Sequence, residues 1–177
     1  MEPFRSGVLP NFDPTGAKIG SAFFLKEKTM SETVSNILIE AINDEYKARA
    51  TYRHVIRKFG EIRPFINIVE AESRHIEALL PLFHKYGVAV PGDNWASRIE
   101  APLSVLEACQ IGVEAEIENA NMYDRLLEST ADYPDVRRVL VQLQRASIDN
   151  HLPAFRRCVE RGGSPGQGWQ HGHRHDA

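Results

Sequence analysis

Four stretches of the chain, residues 31–59, 64–87, 104–129 and 134–162, repeat apolar residues at three- and four-residue spacing. That is the period of a helix burying one face. In the second stretch Ile68, Val69, Ile76, Leu79, Leu82 and Phe83 make one stripe. Gly60, Gly87 and the Gly162–Gly163 pair supply stops, and Pro64 and Pro134 suit first turns. Thr29 with Glu32, and Ser104 with Glu107, have the spacing of capping boxes. Pro81 and Pro153 fall inside helical patterns and predict kinks or early ends. Residues 1–30 carry Pro3, Pro10 and Pro14 without sustained periodicity, and predict an irregular N-terminal extension whose Phe23–Phe24–Leu25 patch could dock on the rest. Residues 162–177 read as a mobile Gly/His-rich tail.

The linkers set the topology. The first and second patterns, and the third and fourth, are joined by a few residues each, which predicts two antiparallel hairpins. Residues 88–103, extended at ~3.3 Å per residue, reach ~50 Å, whereas a helix of ~27 residues spans only ~40 Å. This segment can therefore cross the full length of the molecule. The expected fold is all-α, a four-helix bundle over residues 31–161 with one long crossover between helices two and three.

Bulk composition narrows the functional classes. The chain has 177 residues and a formal net charge of -3, so nothing favours nucleic acid or anionic lipid. No apolar run approaches the ~20 residues of a membrane helix, and the N-terminus lacks a signal-peptide core. A cytoplasmic location is expected. The two cysteines have no CxxC spacing.

The apolar stripes are interrupted at matching positions. Glu72 and His75 stand one turn apart on the second stripe; Glu45, Glu116 and His151 lie on the first, third and fourth. Glu45 is followed seven residues later by Tyr52, as Glu116 is by Tyr123. Leu38 and Leu82 lie seven residues outward from Glu45 and His75, and Cys109 and Cys158 lie at the corresponding places around Glu116 and His151. Such internal similarity points to duplicated halves. Three carboxylates and two imidazoles should thus converge at one level of the core. An unpaired buried carboxylate costs several kcal/mol, and a pair of divalent ions offsets that cost: carboxylates bridge, imidazoles complete each ion's ligands.

Glu on helix one, Glu-x-x-His on helix two, Glu on helix three and His on helix four is an order that resembles the ferritin-like di-iron carboxylate proteins, nearest to the rubrerythrin-type erythrin domains. The runs AINDEYKARATY, RPFINIVEAESRHIEALLPLFHKYG and ASIDNHLPAF are similar, more narrowly, to an uncharacterised bacterial and archaeal ferritin-like family. The resemblance implies two iron or manganese ions per chain. Glu45 and Glu116 would serve one ion each, Glu72 would bridge, and His75 and His151 would serve one each. It implies ferroxidase- or peroxidase-like redox activity with O₂ or peroxide as substrate and an external electron donor. A homodimer is expected by analogy. The pattern departs at Ile148, which stands where a second Glu-x-x-His would have its glutamate. Asp149 lies about 160° around an ideal helix from His151 and would need a distortion such as a π-bulge to reach the site. Five ligands leave the alternatives of a single ion, or of a degenerate site in a non-catalytic metal-binding or structural bundle.

Other residues carry competing readings. Arg49, one turn after Glu45, could neutralise it and leave an ion-pair network without metal. Tyr52 and Tyr123 are core aromatics first, with a hydrogen bond to a metal ligand or a redox-active phenol as the functional reading. Glu70, Glu77, Glu114 and Glu118 are two residues from a ligand candidate and should face away. Cys109 and Cys158 should be neighbouring buried thiols rather than a bridge, because packed helix axes lie 8–10 Å apart. His171, His173 and His175 offer weak metal binding in the tail.

Overall fold

The computed structural model describes residues 19–164, with side chains from Met30 onward. All regular structure among the described residues is helical. Helix α1 spans Ile19–Phe59, α2 spans Phe65–Tyr86 and α3 spans Val105–Glu128. The fourth rod is composite: α4 (Pro134–Ala146), a π-helical turn (Ser147–His151) and α5 (Leu152–Glu160). A short 3₁₀ turn, Trp95–Ser97, lies in the segment between α2 and α3.

Helix α1 starts at Ile19, not near Ser31. Thr29 and Glu32 therefore sit within the helix and not at its start. After Pro14 and Gly16 no proline interrupts the sequence up to Ser31, so the backbone continues helical through a stretch whose apolar pattern is weak. The expected irregularity of residues 1–18 and the tail beyond Ser164 lie outside the described residues.

The other boundaries follow local chemistry. Gly87 ends α2 in the left-handed region at φ 63°, with its N–H and that of Val88 capping the carbonyls of His84 and Phe83. Ser104 Oγ accepts from Glu107 N–H at 3.1 Å, and Glu107 Oε2 reaches back to Leu103 N–H at 2.6 Å. Pro81 neither ends α2 nor faces the core; it is exposed. Pro153 follows directly on the π-turn, and the rod continues through it to Glu160.

Two apolar clusters fill the core. One takes Val34, Leu38 and Ile42 from α1, Leu79 and Phe83 from α2, Leu126 from α3 and Leu140 from α4. The other takes Tyr52 and Val55 from α1, Phe65 and Val69 from α2, Ala108 from α3 and Phe155 from α5. Between them lies a layer of buried polar groups. Along the connector, Trp95 Nε1 bonds Asn43 Oδ1 at 3.4 Å and Lys58 Nζ bonds Pro102 O at 2.6 Å, so it lies against α1.

Cys109 and Cys158 are bridged, with Cα atoms 6.0 Å apart. The expectation of separate thiols compared axis separation with a Cα distance. Cα atoms lie ~2.3 Å off each axis, so facing residues of packed helices come within bridging reach. Gly112 permits this approach: a Cβ there would meet Phe155 Cδ1 at 2.6 Å.

Candidate metal centre

The polar layer contains the five residues picked out by their register. Glu45, Glu72, Glu116 and His151 are each at most 4% exposed, and the His75 side chain is 14% exposed. They form two groups whose ligand-capable atoms lie within 4.8 Å of one another: Glu45–Glu72–His75 and Glu72–Glu116–His151. Glu72 belongs to both. His75 Nδ1 is 2.9 Å from Glu72 Oε2 and 3.1 Å from Glu45 Oε2. His151 Nδ1 is 3.3 Å from Glu72 Oε1 and 3.5 Å from Glu116 Oε2, and the two imidazoles stack at 5.6 Å.

The tyrosines cross-connect these groups. Tyr52 on α1 donates to Glu116 Oε1 on α3 at 2.8 Å, and Tyr123 on α3 donates to Glu45 Oε1 on α1 at 2.6 Å. Burial, then the charge of the adjacent glutamate, pushes both phenols well above their usual range, which keeps them protonated as donors. Each fixes one oxygen of a glutamate and leaves the other free to turn toward the centre.

Burial and the neighbouring groups set the protonation of the layer. Burial raises the Glu72 carboxyl well above the ordinary carboxylate range, and the Glu45 charge adds to it. Burial opposes ionisation of Glu45 too, but hydrogen bonding and attraction to His75 leave its pKa lowered. Burial would depress the His75 imidazole, yet bonds to Glu45 and Glu72 outweigh it and push its pKa up to about 10. Arg49 does not neutralise Glu45: it pairs with Asp93 at 2.8 Å and lies over the Tyr46 ring. His151 Nδ1 is fully buried without a hydrogen-bond partner. An orphaned imidazole nitrogen beside two carboxylates fits a divalent cation, which would accept its lone pair and offset the negative charge.

This electrostatic arrangement predicts a pH dependence for metal-free protein. A raised His75 pKa adds stability that is fully present below 6.5 and is lost as pH rises through about 10. The raised Glu72 pKa acts in the same sense; the lowered Glu45 pKa acts oppositely, its contribution disappearing only as pH falls below 4.5. The melting temperature of metal-free protein should therefore fall between pH 7 and pH 10 in a calorimetric series. A flat profile would mean that His75 is neutral in the fold.

The fourth rod departs from expectation. A π-turn is present, but Asp149 stays exposed, and Ile148 is 43% exposed rather than inward. Ser147, 4% exposed, faces the layer instead. The wider turn places the fourth residue before His151, not the third, on the inner face. Ser147 Oγ donates to Asn119 Oδ1 at 2.7 Å, and Asn119 Nδ2 donates to Asp44 Oδ2 at 2.6 Å. Sequence reasoning missed this chain. Asn119 had a signal, lying one turn after Glu116 on the same face; Asp44, adjacent to Glu45, had none. Glu70, Glu77, Glu114 and Glu118 are exposed.

No protein-family model matches the chain. It is similar to the uncharacterised protein MJ0754 of Methanocaldococcus jannaschii, with 26% identity over 155 residues, 79% of this chain and 82% of that protein. Its fold is similar to the crystal structure of hypothetical protein MJ0754 from Methanococcus jannaschii, with a TM-score of 0.64 at 24% identity over 75% of this chain and 82% of that one. The likeness establishes a shared helical fold. No described helix is long and apolar enough to cross a membrane.

Proposed function

We propose that this protein is a ferritin-like, dinuclear metal carboxylate protein that uses iron or manganese in redox chemistry with O₂ or a peroxide. The observation that carries the reading is the position of Glu72 in both groups of ligand-capable atoms. One buried carboxylate between two Glu–His pairs is what a bridged ion pair requires. The membership of the two core clusters supports the bundle topology. Helices α2 and α3 both run from the Phe65 cluster to the Leu38 cluster, while α1 and the fourth rod run the other way. That order needs residues 88–103 to cross the length of the bundle.

Glu45 with His75, and Glu116 with His151, would hold one ion each. Such ions supply single electrons to O₂ or peroxide when bound. The chain itself holds the carboxylates in place through Tyr52 and Tyr123, keeps those phenolic protons on oxygen, and flanks the layer with an apolar cluster on either side. Without a CxxC pair for a second iron site, electrons come from a separate donor.

A second reading, a metal-binding or structural bundle without turnover, is favoured by one observation: Ser147 faces the layer where a sixth ligand would stand. Anaerobic Fe(II) titration of metal-free full-length protein carrying His171→Ala, His173→Ala and His175→Ala separates the cases. Two irons per chain and an oxo-bridge absorption band on adding O₂ are expected. Two irons with no O₂ or peroxide consumption would establish the second reading. No tight binding would exclude both metal readings and leave a structural bundle.

A further inference from the structure

A cavity of about 140 Å³ lies between α1 and α3. It rivals the ~150 Å³ space that accommodates benzene in an engineered apolar core. Here the walls are polar. Glu72 and Glu116 lie at its inner end beside Tyr52, while Glu114 and Glu118 line its outer part and Asp44 lines it from α1. Lys47 is the one basic residue among these walls. Of the five candidate ligands, Glu72 and Glu116 line the cavity, while Glu45, His75 and His151 do not.

We propose that this cleft is the entrance for divalent cations, with Glu114 and Glu118 at its mouth, Asp44 within it, and Glu72–Glu116–His151 the first group to fill. The proposal rests on the metal reading above. Three observations carry it. The cavity joins surface carboxylates to two of the candidate ligands. Its charge is negative, and a narrow cleft of one sign concentrates counter-ions and repels anions. Beyond its inner end, the buried and unpartnered His151 Nδ1 sits 3.3 Å from Glu72 Oε1 and 3.5 Å from Glu116 Oε2, so a ligand atom already faces the arriving ion. Asn119 holds one oxygen of Asp44 at 2.6 Å, which keeps that carboxylate against the wall instead of in the centre. The competing route is past His75, whose side chain is 14% exposed against 5% for His151.

Stopped-flow binding of Co(II) to metal-free, full-length protein, with His171→Ala, His173→Ala and His175→Ala in every sample, distinguishes the routes. Glu114→Gln with Glu118→Gln should slow association by ~10-fold or more and weaken its dependence on salt. Ala115→Leu, which narrows the cavity, should slow association while leaving the salt dependence intact. Both variants should still bind two Co(II) per chain. Glu70→Gln with Glu77→Gln removes the same charge from exposed positions on α2 and should leave the rate unchanged. Mouth and Ala115 variants that associate at the unsubstituted rate would place entry past His75 and overturn the proposal. A stoichiometry lowered by the mouth variants would make Glu114 and Glu118 ligands instead of an entrance, and would also overturn it. If no sample binds Co(II), the unsubstituted centre included, the metal reading itself fails and takes the entrance with it.

Discussion

Glu72→Gln is expected to empty both halves of the centre at once. Glutamine keeps the volume and much of the hydrogen-bonding reach of Glu72 but cannot bridge two cations as an anion. Because Glu72 belongs to both groups, its loss should weaken both ions by ~100-fold or more, beyond the 10–100-fold typical of losing a supporting residue. His75→Ala and His151→Ala should each cost one ion and leave the other. Elemental analysis after metal loading and desalting reads the difference directly. The metal-free Glu72→Gln protein should melt no lower than its parent, because it removes a carboxyl that burial and the Glu45 charge already oppose ionising. Two ions retained by Glu72→Gln would eliminate the bridging role.

Opening the Cys109–Cys158 bridge should have the largest effect on stability. The bond closes a loop across a sequence separation of 49, and loop-closure entropy of that length contributes about 4 kcal/mol in the chain-entropy account. Urea unfolding with and without reductant, and of Cys109→Ala/Cys158→Ala, should show a loss of that order. Equal stabilities would mean that the bond does not form in solution. The bridge also counts against the cytoplasmic expectation in its simple form. A persistent disulfide belongs to an oxidising compartment, or to the disulfide-rich interior of some hyperthermophiles.

How much was visible beforehand depended on whether a signal was local and periodic. Glu45, Glu72, His75, Glu116 and His151 were legible because each interrupts a 3.6-residue stripe, and heptad offsets placed them at one level before any distance was known. Gly87 and Ser104 were legible because caps are short-range chemistry. The start of α1 was not, since a capping-box pattern is satisfied equally well inside a longer helix. Arg49 could not be assigned: its partner Asp93 lies on the connector, and no spacing along α1 reports that contact. The inward face of the fourth rod was not legible, because 100° per residue does not hold through the π-turn and nothing in the sequence fixes where such a turn falls. The missing glutamate's place was read at Ile148, which the wide turn leaves exposed, and Ser147 takes the inner face instead.

The wide turn at Ser147–His151 has a consequence for how this chain tolerates length changes. Losing one residue from a core helix ordinarily rotates everything beyond it out of register. Here the helix carries one residue more than an α-helical path needs, at positions whose side chains face solvent. Deleting Asn150 should let the rod close into continuous α-helix with Leu140 and Phe155 still facing inward, and Ser147 would become the third residue before the histidine. A melting transition as cooperative as the parent's would show that the surplus residue is stored slack; a broad or missing transition would show that the fold depends on it.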